Sequence, residues 1–216
     1  MMLRAFPATI RVPLRACLVS LLLVAGCSRE PHAPADPAPP ATTAINVPAA
    51  DLTATFEQDS GPIRIRLAAK EAPRLSMSFI LLAEAGYFDG RAWSDFSPVV
   101  RQTGDSSPIY TLPREFSPRL LFDEGGRLCA SNTTEDSSAR AKPNRIFLTV
   151  KPQDRWNLVY SVFGVVTEGL DTARNLRDGE IIRAVRIEGD TAPLRARFAR
   201  EIPEWTAAIR AAVSSR

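Results

Sequence analysis

Histidine is almost missing from this chain of 216 residues: the single copy, His32, sits in a proline-rich stretch. Ser-His-Asp and Cys-His hydrolase chemistry therefore has no base to work with. No phosphate-cradling Gly-rich motif and no spaced cluster of Cys, His, Asp and Glu is present, so neither a metal nor a cofactor is expected. Long hydrophobic runs are lacking as well. The apolar run from Ala16 to Ala25 is too short to span a bilayer. An excess of one charge is also absent beyond the N-terminus. With Arg4, Arg11 and Arg15 set aside from the 27 Lys+Arg, 24 basic residues face 24 acidic ones. The formal charge of +3 belongs to those leading arginines and does not point to a nucleic-acid partner.

Three arginines followed by a short apolar run read as an export signal. It ends in "LVAGC", where Ala25 and Gly26 before Cys27 resemble the lipobox of bacterial lipoproteins. That resemblance implies removal of residues 1–26, lipid on Cys27 and a place in the bacterial cell envelope, anchored to membrane and facing the periplasm. Ser28, where an Asp would favour the inner membrane, points to the outer one. Cys17 then leaves with the signal and Cys27 carries lipid, so Cys129 has no partner and an internal disulfide is excluded. In the apolar string "RLCAS", Cys129 reads as a small buried hydrophobe. Residues 27–50, with six prolines after Cys27, form an extended tether. About 165 residues remain, enough for one domain with a real core.

Along that remainder, "LTATF" and "PIRIRL" flank the turn "EQDSG", and Ile63, Ile65 and Leu67 alternate with Arg64 and Arg66. This is a hairpin with one wet face. "APRLSMSFILLAEAG" places Leu75, Phe79, Leu82 and Ala83 at helical spacing, with Pro73 fit for a first turn and Gly86 for a C-terminal cap. "AWSDFSPVVRQTGD" reads as two short strand pieces, and further strands are expected at "RLCA", "IFLTV", "LVYSVFGVV" and "EIIRAVRIE". "EGLDTARNL" is a short helix. A mostly β, closed antiparallel barrel capped by two helices follows, since a doubly wound sheet would need helices between most strands. The domain is placed at 51–190 and a C-terminal helical extension, broken near Pro203, at 191–216. Packing of that tail on the barrel is favoured over contact with anionic lipid.

Five strings in order resemble one family. "GPIRIRLAAKEAPRLSMSFILLAEAGYFDG", "RQTGD", "GGRLCASN", "NRIFLTV" and "VYSVFGVVTEGLD" resemble successive segments of the cyclophilin-type peptidyl-prolyl cis-trans isomerases. The resemblance spans roughly residues 51 to 188. It implies a closed eight-stranded barrel with two capping helices and an active face on its outside, acting on proline-containing segments, here of exported proteins, as a monomer.

The family's main donor is an arginine in a Phe-His-Arg string. Counting back from Gln102 and Asp105 puts that position at Ser94, or at Asp95 with one deletion, and neither donates as a guanidinium does. By the resemblance, Gln102 orients the substrate amide, Phe147 and Phe163 are pocket aromatics and Asn132 binds the peptide backbone. Val99 replaces an aromatic, Ala130 a methionine and Tyr160 a histidine, while Arg155 or Trp156 falls at the loop aromatic. Arg145 stands where the family has a glutamine bracing the missing arginine. It shares a strand face with Phe147 by i, i+2 spacing and is expected to supply a relocated guanidinium, whereas Arg101 should face away. A weak isomerase is the leading expectation. A prolyl-binding module without turnover, and a scaffold docking through "NTTEDSSARAKPN" or the C-terminal helix, are the alternatives.

Overall fold

The computed structural model describes residues 52–215. The segments expected to be an export signal, a lipidated Cys27 and a proline-rich tether lie outside them. Strand β1 (Thr53–Glu57) and strand β2 (Ile63–Leu67) form the expected hairpin, with Phe56 facing Ile63 across it. Helix α1 (Pro73–Glu84) follows. It starts on Pro73 and is closed by a Schellman cap: Gly86, at φ +66°, donates to Ala83 O at 2.9 Å and Tyr87 donates to Leu82 O at 2.9 Å. Strands β3 (Val100–Gly104), β4 (Arg127–Asn132), β5 (Ala141–Thr149) and β6 (Ser161–Glu168) come next, then helix α2 (Leu170–Asn175) and strand β7 (Ala184–Glu188). Helices α3 (Ala192–Arg197) and α4 (Ile202–Ser214) end the described chain, with Pro203 in the first turn of α4.

The strands form one antiparallel sheet in the order β3-β5-β4-β6-β2-β1-β7. This corrects the expectation of a closed eight-stranded barrel: among the described residues seven strands curve into an open half-barrel, accompanied by helices α1 and α2 and, in the C-terminal extension, α3 and α4. The missing strand is the first half of "AWSDFSPVVRQTGD". Ala92 makes one isolated bridge to Ile181, ahead of β7, and Ser94 one to Gln102 on the edge strand β3, and no ladder develops. Asp95, at φ +50°, then turns the chain away, and Pro98 has no N–H to offer a neighbour.

Side-chain alternation divides the apolar residues between two faces. Phe56, Phe79, Phe88, Trp93 and Phe163 fill the concave side, with Phe56–Trp93 and Phe79–Phe88 centroids both 5.4 Å apart. A second, smaller cluster of Phe122, Cys129, Phe147 and Val162 lies apart from that core. Ile146 and Leu148 belong to the first cluster and Phe147 between them to the second, as period two requires.

The helical spacing of Leu75, Phe79, Leu82 and Ala83 marks only part of what α1 buries, because every residue from Leu75 to Ala83 is buried. One side of the helix meets β5, β6 and β7, and α3 and α4 cover another part. Trp205 of α4 stacks on Tyr110 with centroids 6.0 Å apart and planes 5° from parallel, and Phe198 and Ile209 are buried beside it. Ion pairs Arg195–Glu84 and Arg74–Glu201 pin the rim of this contact. At the start of α1, the Glu115 carboxylate accepts from the backbone N–H groups of Arg74 (3.1 Å) and Leu75 (2.9 Å), two donors a helix cannot satisfy by itself.

Tyr110 also exchanges a hydrogen bond with Ser78 at 2.6 Å, and burial pushes its hydroxyl up from 10.0 to about 12. A raised acid is stabilising while protonated. In the unfolded chain it ionises first, so folding stability declines as pH rises from 10.0 toward 12. Denaturant titrations across that window should show a loss of about 2 kcal/mol. A Tyr110→Phe chain should lack that part of the alkaline decline.

Candidate active site

The outer apolar cluster floors a cleft of about 370 Å³ lined by Val100, Gln102, Ser131, Asn132, Lys142, Arg145, Phe147, Trp156 and Tyr160, among others. Its apolar end is a trio of rings set edge to face. Phe147 lies 5.9 Å from Trp156 and 5.2 Å from Tyr160, and Trp156 lies 5.5 Å from Tyr160, with interplanar angles of 71–87°. Cys129 is fully buried beneath, and burial pushes its thiol well up, so it is packing material and not a nucleophile. Burial also raises the Tyr160 hydroxyl, with the Glu135 carboxylate and Cys129 adding to it, so the phenol keeps its proton.

The polar end is organised around Gln102. Its Nε2 donates to Ser131 Oγ at 2.6 Å and its Oε1 accepts from Arg145 Nη2 at 3.3 Å, so the amide is held from both sides. Arg145 further donates through Nη1 to Gly104 O at 3.0 Å and through Nη2 to Asp95 Oδ2 at 2.5 Å. Asn132 donates from Nδ2 to Val159 O at 2.9 Å, which leaves its buried Oδ1 without a hydrogen-bond partner in the protein.

Local backbone geometry explains how these groups converge. Gly104 sits at φ +94°, and a Cβ there would lie 1.9 Å from Asn144 O, so β3 and β5 meet at a distance only glycine permits. On β5, pairing with β4 jumps from Ser131↔Lys142 to Ala130↔Ile146, an irregularity that brings both Lys142 and Arg145 to the cleft although i, i+3 residues of a regular strand face opposite ways. Arg145 and Phe147, at i, i+2, both line it.

The other positions singled out from sequence fall as follows. Phe163 and Ala130 point into the main core, Phe163 at 5.5 Å from Phe79, and neither lines the cleft. Val99 gives way to its neighbour Val100. Of the two candidates in "DRW", Trp156 lines the cleft while Arg155 is exposed. Arg101 faces away from the cleft, donating to Ser97 O at 2.8 Å and Arg174 O at 2.7 Å. Ser94 is tied by its main chain to Gln102 (2.7 and 3.1 Å), and Trp93 beside it is core. Ser131 and Lys142 line the cleft without having been singled out. Ser131 lay in the string "GGRLCASN" and Lys142 in "NTTEDSSARAKPN", where Pro143, which strands admit at edges or bulges, signals the irregularity that exposes Lys142.

A family model described as cyclophilin type peptidyl-prolyl cis-trans isomerase/CLD matches residues 53–195. The chain belongs to the cyclophilin family. Among its relatives, peptidyl-prolyl cis-trans isomerase B of Bacillus subtilis is 31% identical over 139 residues, covering 61% of this chain and 94% of the relative. A peptidyl-prolyl cis-trans isomerase of Synechococcus elongatus is 25% identical over 148 residues, covering 64% and 98%. In fold, a cyclophilin-type isomerase of Cryptosporidium parvum superposes with a TM-score of 0.58 at 20% identity, covering 65% of this chain and 99% of that one. The same parasite protein has also been solved in the presence of the dipeptide Ala-Pro.

One rim residue of this cyclophilin is strained. Val159 N donates to Trp156 O at 3.0 Å around Asn157 (φ −55°, ψ 132°) and Leu158 (φ +60°), a type II turn with leucine where glycine is the usual occupant. Leu158 is 68% exposed, so its side chain recovers little by packing. Left-handed backbone costs a leucine about 1–2 kcal/mol, and glycine's extra freedom in the unfolded chain returns about 0.5–1 kcal/mol of that. Leu158→Gly should therefore raise unfolding stability by about 0.5–1 kcal/mol, measured by urea denaturation.

Proposed function

We propose that this chain is a slow peptidyl-prolyl cis-trans isomerase that works on X-Pro segments of exported polypeptides, as a monomer held by lipid on Cys27 to the periplasmic side of a bacterial membrane, the outer one by preference. Support for the address comes from the arginine-led apolar run, the "LVAGC" string and Ser28. Support for the reaction comes from family membership and from the cleft, with the dipeptide Ala-Pro solved with the parasite relative indicating the ligand class.

The carrying observation is the juxtaposition of an aromatic trio with a guanidinium and a braced amide in one cleft. Rotation about an X-Pro bond faces about 18–20 kcal/mol because resonance must be broken. As the amide twists, its nitrogen recovers a lone pair, and a donor aimed there binds the twisted form better than the planar one. Phe147, Trp156 and Tyr160 take the ring, Gln102 aligns the amide and Asn132 lines the wall along which the peptide backbone lies. Arg145 is the donor, since Ser94 and Asp95 carry no cationic donor. Three of its five N–H donors are used by Asp95, Gln102 and Gly104, and that engagement is why slow turnover is expected.

Exchange spectroscopy on an Ala-Pro-Phe-type peptide with the full chain in detergent micelles reads turnover and binding together. Catalysed exchange is expected, and Arg145→Ala should reduce it at least about tenfold while peptide affinity stays within about twofold. Peptide line shifts without accelerated exchange would replace the isomerase by a prolyl-binding module. In this cleft no imidazole is present and Tyr160 keeps its proton, so kcat/KM should be flat between about pH 6 and 8. An inflection there would mean that another titrating group takes part.

A further inference from the structure

We infer that Asp95 is the positioning residue for Arg145: its carboxylate, delivered by a left-handed turn, aims the guanidinium at the prolyl amide. This rests on the reading of Arg145 as the donor. Asp95 is one of two non-glycine residues at positive φ among the described residues, at +50°, and aspartate tolerates that region better than most. The turn's base is fixed by the paired main-chain bonds between Ser94 and Gln102, so carboxylate and amide approach Arg145 from one rigid frame. Arg145 Nη2 donates to Asp95 Oδ2 at 2.5 Å. Its remaining protein partners are neutral acceptors, Gly104 O at 3.0 Å and Gln102 Oε1 at 3.3 Å.

All three bonds have an ionised donor, but only the one to Asp95 also has an ionised acceptor, which makes it the strongest of the set. As a stability device an ion pair whose carboxylate side chain is 58% exposed does little. As an aiming device it matters, because a misplacement of about 1 Å at a reacting centre is enough to cost turnover. The aspartate thus occupies the place where a donor was sought in the sequence and supplies the counter-charge that holds a donor brought in from β5.

The same exchange assay on the full chain in micelles, with kcat and KM read separately, tests this through four variants. Asp95→Asn keeps the shape and the left-handed backbone but removes the charge, and should lower kcat about tenfold with KM within about twofold. Asp95→Gly should lose the same activity without a lower Tm, since glycine relieves the backbone. In an Arg145→Ala background, Asp95→Asn should cost nothing further. If Arg145→Ala lowers kcat but Asp95→Asn does not, or if Asp95→Asn costs as much with Arg145 as without it, the positioning role is overturned and the donor reading stands. If Arg145→Ala leaves kcat unchanged, the donor reading falls and the positioning role with it.

Discussion

At Gly104 two main chains come closer than any side chain allows, and the outer face of the sheet is arranged around that contact. A Cβ there would lie 1.9 Å from Asn144 O. Because the end of β3 presses on β5, the Gly104 carbonyl is within 3.0 Å of Arg145 Nη1, and Gln102 sits directly opposite Phe147 in the ladder. The same contact marks where β5 loses step with β4. Asn144 turns inward there, donating to Ser107 O at 2.9 Å and accepting from Ile109 N at 3.2 Å, while Lys142 and Arg145 come out on the cleft side. Of the polar groups collected in this way beside an apolar floor, Gln102, Asn144 and Arg145 each have hydrogen-bond partners in the protein.

The second requirement is that an antiparallel sheet be apolar on both faces at one end only. Most strands here alternate in the ordinary manner, as β2 does with buried Ile63, Ile65 and Leu67 between arginines. Under the cleft the alternation is overridden. Cys129, Phe147 and Val162 all face outward and still are nearly inaccessible, roofed by Phe122, Leu120, Trp156 and Tyr160 from the flanking loops. The roof is incomplete, and its gap is the cleft. An outward apolar patch bounded by loops is costly to expose unless something is bound there, which is why such patches mark binding sites.

Much of this was legible in the sequence because it follows from short-range rules. Period two located the strands, and the pairing of Pro73 with Gly86 bounded α1. What was not legible depends on where a residue sits across the sheet. Phe163 and Phe147 look alike in a string, yet one faces Phe79 in the core and the other Trp156 in the cleft. Ala130 was set a position away from Ser131 for the same reason. The count of eight strands came from the resemblance, and the piece of "AWSDFSPVVRQTGD" that would have supplied the eighth makes only two isolated bridges because Asp95 and Pro98 end its extended run. Trp156 over Arg155 was an ambiguity of one residue that only the turn after it resolves. The burial of α1 on nearly all sides required the long-range packing of α3 and α4, which no window along α1 contains.

The three tryptophans divide the molecule among themselves. Trp93 is sealed in the main core and Trp205 lies under α4 against Tyr110, with 0% and 6% of their surfaces exposed. Trp156 alone is half-buried and stands in the cleft wall. Of the three indoles, Trp156 is thus the one whose surroundings a peptide in the cleft would change, so such binding would be read in the intrinsic fluorescence without any added label.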